Sequence, residues 1–300
     1  MSYIKKPLEE LDVMDDFLMN QLASDEAVGE AFCRRLISTL LHREIGKLKI
    51  SAQKVLPALS PDLRGIRMDV EVEELSDKPD GQEPAVMNLY DVEPHLPDDM
   101  DWPRHNRFYQ AKIDSRGLKS GETDFSKLPN LYVLTILNKD PFGHDFMMYS
   151  IRNKCEEVPE MEYEDGLRFY YFYTDGAKGG SDSIRKLLRY LKDSREENAI
   201  DEATKEIHSY VKRVKIQPEV KLAYMRYEEI IHYERKEAAK EAAQKAAKEA
   251  TEKATEEAIK NIISICQNLN VTQEMAAKQL AEKYSLSLPE AEKKVRKYWT

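Results

Sequence analysis

Asp69 and Glu93 are the two acids of this chain whose settings suit chemistry. Asp69 lies in "IRMDVEVEE" (66–74) and Glu93 in "VMNLYDVEPH" (86–95). In the first stretch Ile66, Met68, Val70 and Val72 alternate with Arg67, Asp69, Glu71 and Glu73, the period of a half-buried strand. The second stretch begins as a strand and stops at Pro94. Proline has no N–H, so the ladder weakens there and backbone carbonyls are released toward a ligand. The link "SDKPDGQEP" predicts a hairpin with its bend near Asp80-Gly81, which brings both carboxylates to one edge of the sheet. Two acids aimed at one point repel each other unless a cation lies there, and oxygen ligands suit Mg²⁺ or Mn²⁺. By the same alternation, Glu71, Glu73 and Glu74 read as an ordinary solvated face.

The elements that must hold this pair follow from periodicity. Residues 12 to 45 carry Leu18, Leu22, Phe32, Leu36 and Leu40 at helical spacing. "LYVLTIL" (131–137) is apolar at almost every position, as in a central strand buried on both faces, and "MMYSI" and "RFYYFYT" are further strands. Between the second and third strands, Asp101 and Pro103 start a helix that continues through "RFYQAKI". Arg104 and Arg107 share a face of it, with Tyr109, Gln110 and Lys112 nearby. Packed beside the acids, that face would hold phosphate oxygens; packed elsewhere, its arginines would pair with Asp98, Asp99 and Asp101. Phe108 and Ile113 read as core. The order of helix, strands, helix and strands predicts an α/β or α+β fold.

After about residue 182 the strand signals end. "KLLRYLKD", "IHSYVKRVK" and "EVKLAYMRYEEIIHYE" are amphipathic helical stretches, the last two separated by Pro218. The tract 234–260 is Ala, Glu and Lys with a period near four, a helical spacer of roughly 40 Å. Residues 261–300 read as a small helical module with helix starts at Thr272 and at Ser287-Leu288-Pro289 and a basic end. The organisation expected is therefore a mixed domain of helices and strands at 1–182, a helical extension at 183–233, the spacer and the module.

Composition narrows the function classes. With 300 residues, 41% hydrophobic and 34% charged, the chain reads as soluble and helix-rich. It has no run of 18 apolar residues and no apolar leader in "MSYIKKPLEELD", so a cytoplasmic protein without membrane partners is expected. Cys33, Cys155 and Cys266 lack paired spacing and read as reduced thiols. A net charge of −9 argues against a general nucleic-acid coat but does not exclude a local binding surface. "GLKSGETDFSKLPN" lacks the G-x-x-x-x-G-K pattern, so no nucleotide cofactor is expected. His144, His208 and His232 have no spacing that makes a site.

Taken together, "GIRMDVEV", "LYDVEPH", "RHNRFYQAKIDSRGLKSGETDFSKLPNLYVLTI", "DPFG" and "IRNKCEE" resemble the PD-(D/E)XK nuclease-family transposases, also called recombination-promoting nucleases. The likeness runs over roughly residues 10 to 180. It implies a restriction-endonuclease-like core, a mixed sheet flanked by helices, followed here by a helical C-terminal extension. It implies a bacterial, Mg²⁺-dependent DNA endonuclease linked to transposition or recombination, with Asp69 and Glu93 as metal ligands and catalytic acids. "LDVMDDFLMNQL" matches the family's opening D-D-x-x-F/L pattern and makes Asp15 and Asp16 candidates for a further acid, although an acid at a helix start also stabilises the dipole. His95 stands where lysine occurs in the wider superfamily, and glutamine or asparagine in this family. A neutral imidazole can take a proton from water or orient it but supplies no fixed positive charge. That departure sets the alternative: a nuclease-derived DNA-binding or scaffolding protein without catalysis. A homodimer would supply the two sites needed for double-strand cleavage.

Overall fold

The computed structural model describes residues 6–56, 66–76, 84–95, 101–118 and 120–299, with the backbone alone at 54–56, 66, 67 and 95. The chain divides into two compact units, residues 1–225 and 226–300.

In the first unit α1 (Asp16–Ser24) and α2 (Gly29–Leu41) precede three antiparallel strands, β1 (Lys47–Leu56), β2 (Ile66–Leu75) and β3 (Val86–His95). Then α3 (Trp102–Asp114) crosses to β4 (Asn130–Leu137), which lies parallel to β3. β5 (Met148–Ile151) and β6 (Leu167–Tyr173) follow, β6 parallel to β4 and β5 antiparallel to β6 at the edge. Among the described residues these strands form one mixed sheet in the order β1-β2-β3-β4-β6-β5. The sheet is flanked by helices, so the molecule is mixed α/β. The expected bend near Asp80-Gly81 lies outside the described residues. The paired strands on either side of it run as the alternation predicts.

Both faces of the sheet centre are dry. On one, Leu89, Leu131 and Val133 pack against Tyr109 and Ile113 of α3. α1 and α2 pack on β1 and β2, burying Leu18, Leu22, Phe32, Leu36 and Leu40 as their spacing foretells. The helical periodicity over 12 to 45 resolves into two helices parted at 25–28, where the Asp25 carboxylate accepts the N–H groups of Ala27 and Val28 at 2.9 Å each. α4 (Asp182–Lys192) and α5 (Glu202–Lys215) pack beside α2.

Glu74 corrects the solvated-face expectation. Its side chain is 6% exposed and lies against Arg43, just past α2, at 2.8 Å. It also accepts from the Gly46 N–H at 2.7 Å, the Asn88 amide at 2.7 Å and the Tyr90 hydroxyl at 2.6 Å. Burial alone would raise its pKa; these donors and the guanidinium outweigh that and hold it below the usual range. Glu74→Ala strands four donors and is expected to cost about 3 kcal/mol, read as a lowered urea midpoint with unchanged slope.

α6 (Pro218–Asn268) begins on the first unit, where Val220 is buried and the Tyr224 ring meets Phe17 at 5.0 Å. The Ala/Glu/Lys tract lies inside α6 and is almost wholly exposed. In the second unit the end of α6, α7 (Gln273–Tyr284) and α8 (Leu288–Tyr298) enclose Ile259, Ile263, Ala277, Leu280 and Val295. Thr272 caps α7, and at the start of α8 the Glu290 carboxylate accepts the Ser287 N–H at 3.0 Å. Among the described residues no helix is long and apolar enough to cross a membrane.

Candidate functional site

The site follows from the register of β2 on β3. Val70 lies opposite Val92 and Glu71 opposite Asp91, so the next step up the ladder sets Asp69 beside Glu93. The Asp69 N–H donates to Glu93 Oε1 at 3.0 Å. On the other side of β3, Thr135 of β4 is the register partner of Glu93, and Val133 that of Asp91. Side chains two apart on a strand share a face, so Asp69, Glu71, Asp91, Glu93 and Thr135 form one polar island in the sheet. α3 covers it: Asn106, itself buried, donates its amide to Thr135 Oγ1 at 2.9 Å and meets the His105 ring at 3.0 Å. The His105 ring lies 4.1 Å from that of Tyr109.

The electrostatics of the island are unusual for a sheet interior. Asp91 and Glu71 are fully buried and Glu93 is 2% exposed. Glu71 is held by the Arg116 guanidinium, which reaches back from the turn after α3. Burial pulls the pKa of Arg116 down, and its Nε has no hydrogen-bond partner. Glu71 thus departs from the solvated-face expectation as Glu74 does on the opposite face of β2: an arginine from outside the sheet lies against each.

The Asp91 carboxyl meets that of Glu93, and among the described residues no other donor reaches it. Burial, then the charges of Glu93 and Asp69, drives its pKa well above the normal carboxyl range. Glu93 is pushed up to about 8, first by burial and then by Asp69, with a smaller push from Asp16. Its bond from the Asp69 amide acts the other way but does not prevail.

Of the first-helix acids, Asp16 therefore acts on the island electrostatically. Asp15 is engaged elsewhere, accepting the Asp12 N–H at 2.7 Å and facing Lys6 at 3.4 Å. His95 ends β3 opposite Leu137, two residues beyond Glu93 and four beyond Asp91; its side chain lies outside the described residues.

On α3, Asp101 caps the helix as expected, its side chain accepting the Arg104 N–H. Arg104 also pairs with Asp101 at 2.5 Å, the local ion pair weighed from the sequence, and its side chain remains 76% exposed. Arg107 is exposed in the next turn. Lys112 lies 5.7 Å from the centre of the Phe108 ring, which is exposed rather than core. Tyr109 is core instead, and Gln110 is bonded to Asp114 at 2.6 Å. α3 is thus rotated by about one residue from the facing expected, with Ile113 buried as foreseen.

Asp91 was not singled out from the sequence, yet a signal for it exists. It sits between Tyr90 and Val92 in an otherwise apolar strand centre and shares Glu93's parity. Arg116, Asn106 and Thr135 left no such signal, because their roles depend on how α3 lies.

The donor set of Asp69 and Glu93 is carboxylate oxygen, whose chemistry fits a hard divalent cation. Among the described residues no three Asp, Glu, His or Cys side chains stand arranged as a ready-made cage. No protein-family model, curated protein or solved structure matches the chain.

Proposed function

We propose that the chain is a divalent-metal-dependent DNA endonuclease on a restriction-endonuclease-like core, acting in transposition or recombination. The observation that carries this reading is the pairing of Asp69 with Glu93 across adjacent strands, in an island of carboxyls too buried and too close to ionise together. The core reading is supported by a mixed sheet that carries these acids on neighbouring strands and is flanked by helices. The family and its biology rest on the motif resemblance alone.

Asp69 and Glu93 would hold Mg²⁺ or Mn²⁺. When bound, such an ion lowers the pKa of a water and offsets charge on the phosphate under attack. The remaining work falls to the chain. The Asp69 amide fixes one oxygen of the Glu93 carboxylate. Thr135, tied to Asn106, closes the site toward β4. His95, at the end of β3, would orient the attacking water or take its proton. Arg104, Arg107 and Lys112 present cations along α3 for backbone phosphates. A dication in the acidic island also reconciles an anionic substrate with a chain of net charge −9.

Arg104→Ala and Arg107→Ala are each expected to weaken binding of duplex DNA regardless of sequence and to reduce the salt dependence by about one counterion. Fluorescence anisotropy over a salt series checks this; unchanged slopes would remove α3 from the interface. The nuclease reading itself is tested by DNA cleavage with Mg²⁺ or Mn²⁺ and its loss in EDTA.

The second reading, a DNA-binding or scaffolding protein without catalysis, is favoured by one observation: His95 replaces the lysine of the wider superfamily. Under that reading the protein binds DNA and the arginine variants behave as above, but no metal supports cleavage.

A further inference from the structure

The opening turns of the continuous helix α6 have two unlike sides. On one, Val220 and Tyr224 are buried, Tyr224 against Phe17. The other carries Leu222, Met225, Ile230 and Tyr233, which are 50% to 65% exposed. Leu222, Arg226, Glu229 and Tyr233 follow one another at spacings of four, three and four, so they run along one side of the helix, with Met225 on one flank and Ile230 on the other. The turns that follow show what this helix carries where only water faces it: from 234 to 258 no apolar side chain is larger than alanine. Four large apolar side chains exposed on one helix face mark an interaction surface.

The order of residues along the stripe identifies its occupant. Arg226 and Glu229 are equally distant from the midpoint between Tyr227 and Glu228, as are Met225 and Ile230, Leu222 and Tyr233, and Glu219 and Lys236. All four charged residues of this set are exposed. A second copy of the helix, turned about a twofold axis at that midpoint, brings each of these pairs together twice, apolar against apolar and cation against anion. A parallel copy in the same register would instead set Arg226 on Arg226 and Glu229 on Glu229. A partner of unrelated sequence would require no such symmetry.

We propose that this face of α6 is a homodimer interface, an antiparallel pair of helices in which Arg226 of each chain lies against Glu229 of the other. Leu222, Met225, Ile230 and Tyr233 supply the apolar burial, and the aliphatic stem of Arg226 adds to it. The reciprocal ion pairs set direction and register more than affinity. One helix against its copy is a small contact among stable interfaces, which places the dissociation constant in the micromolar range. The dimer does not depend on the nuclease reading, since it forms without DNA or metal.

Sedimentation velocity of the full chain in EDTA, over the micromolar range, compares wild type with Arg226→Glu, Glu229→Arg and the double variant. Wild type is expected to pass from monomer to dimer as concentration rises. Each single reversal sets two like-charged pairs at the centre of the contact and should raise the dimer Kd at least about tenfold. The double variant restores both pairs with their signs exchanged and should return to within about threefold of wild type. An equimolar mixture of the two single variants should recover in the same way, because each supplies the charge that the other lacks. Leu222→Asp should also weaken the dimer, with no charge partner to rescue it. The substituted positions are exposed, so circular dichroism should be alike in all samples. Wild type that stays monomeric throughout, single variants that dimerise like wild type, or a double variant that does not recover would each overturn the proposal.

Discussion

Glu93→Gln is expected to lower metal-dependent DNA cleavage by about a thousandfold or more in a chain that still folds. The substitution keeps the shape of the side chain, and an amide oxygen can still accept the Asp69 N–H that Glu93 Oε1 accepts at 3.0 Å. The hairpin register is therefore preserved. What is lost is an anionic ligand at the point where charge must be offset. Metal stabilisation of a phosphoryl transition state is worth several kcal/mol, and about 4 kcal/mol corresponds to about three decades of rate. Asp69→Asn should act alike, because its main-chain N–H, not its side chain, makes the bond to Glu93. Metal-free melts of both variants should equal or exceed wild type, since each removes an acid from a crowded island. Cleavage at the wild-type rate by either variant would take the site away from these strands.

The second large effect is on stability against pH. The carboxyl of Glu93 rises from 4.5 to about 8 in the folded chain, through burial first and then the charge of Asp69, and Asp91 is displaced in the same direction. A group that holds its proton more tightly folded than unfolded contributes stability below its unfolded pKa and loses it as pH rises through the folded value. The metal-free protein should therefore weaken between about pH 4.5 and pH 8, by up to about 1.4 kcal/mol per pH unit for each proton involved. Other groups titrate as well, so the informative quantity is the difference between wild type and Glu93→Gln in urea titrations with EDTA. That difference should narrow at low pH and favour the variant at high pH. Adding Mn²⁺ should offset the loss in wild type, because an ion displaces the same protons. A difference that does not vary with pH would mean that Glu93 is ionised in the folded chain.

The contrast between what the sequence reveals and what it hides is physical. Alternation in "IRMDVEVEE" and the unbroken apolar run in "LYVLTIL" identify β2 and β4, whereas the proline after Glu93 does not end β3, which runs on through Pro94 to His95 beside Ile136 and Leu137 of β4. Those local signals suffice to set Asp69 beside Glu93, because antiparallel register follows from the chain's own return. β1 escaped notice. Its alternation of Leu48, Ile50 and Ala52 is weak, and Gln53 breaks it with a left-handed φ of 50°.

Period two tells which residues share a face but not whether that face is wet. Glu71 and Glu74 look like a solvent stripe, yet Arg116 and Arg43 arrive from distant elements to bury them. The same blindness hid Asp91: a lone acid in an apolar strand gains meaning only once α3 is known to lie over it. On α3 itself, a shift of one residue, about 100° of rotation, decides that Tyr109 is core and Phe108 is not.

The first measurement to make is conversion of supercoiled plasmid by the purified full chain with Mg²⁺, with Mn²⁺ and with EDTA. A divalent-metal nuclease centred on Asp69 and Glu93 predicts nicked or linear product with at least one of the two ions and none in EDTA. Intact plasmid under all three conditions, from protein that is folded and binds DNA, would contradict catalysis and leave the binding-only protein, with His95 as the residue that sets it apart.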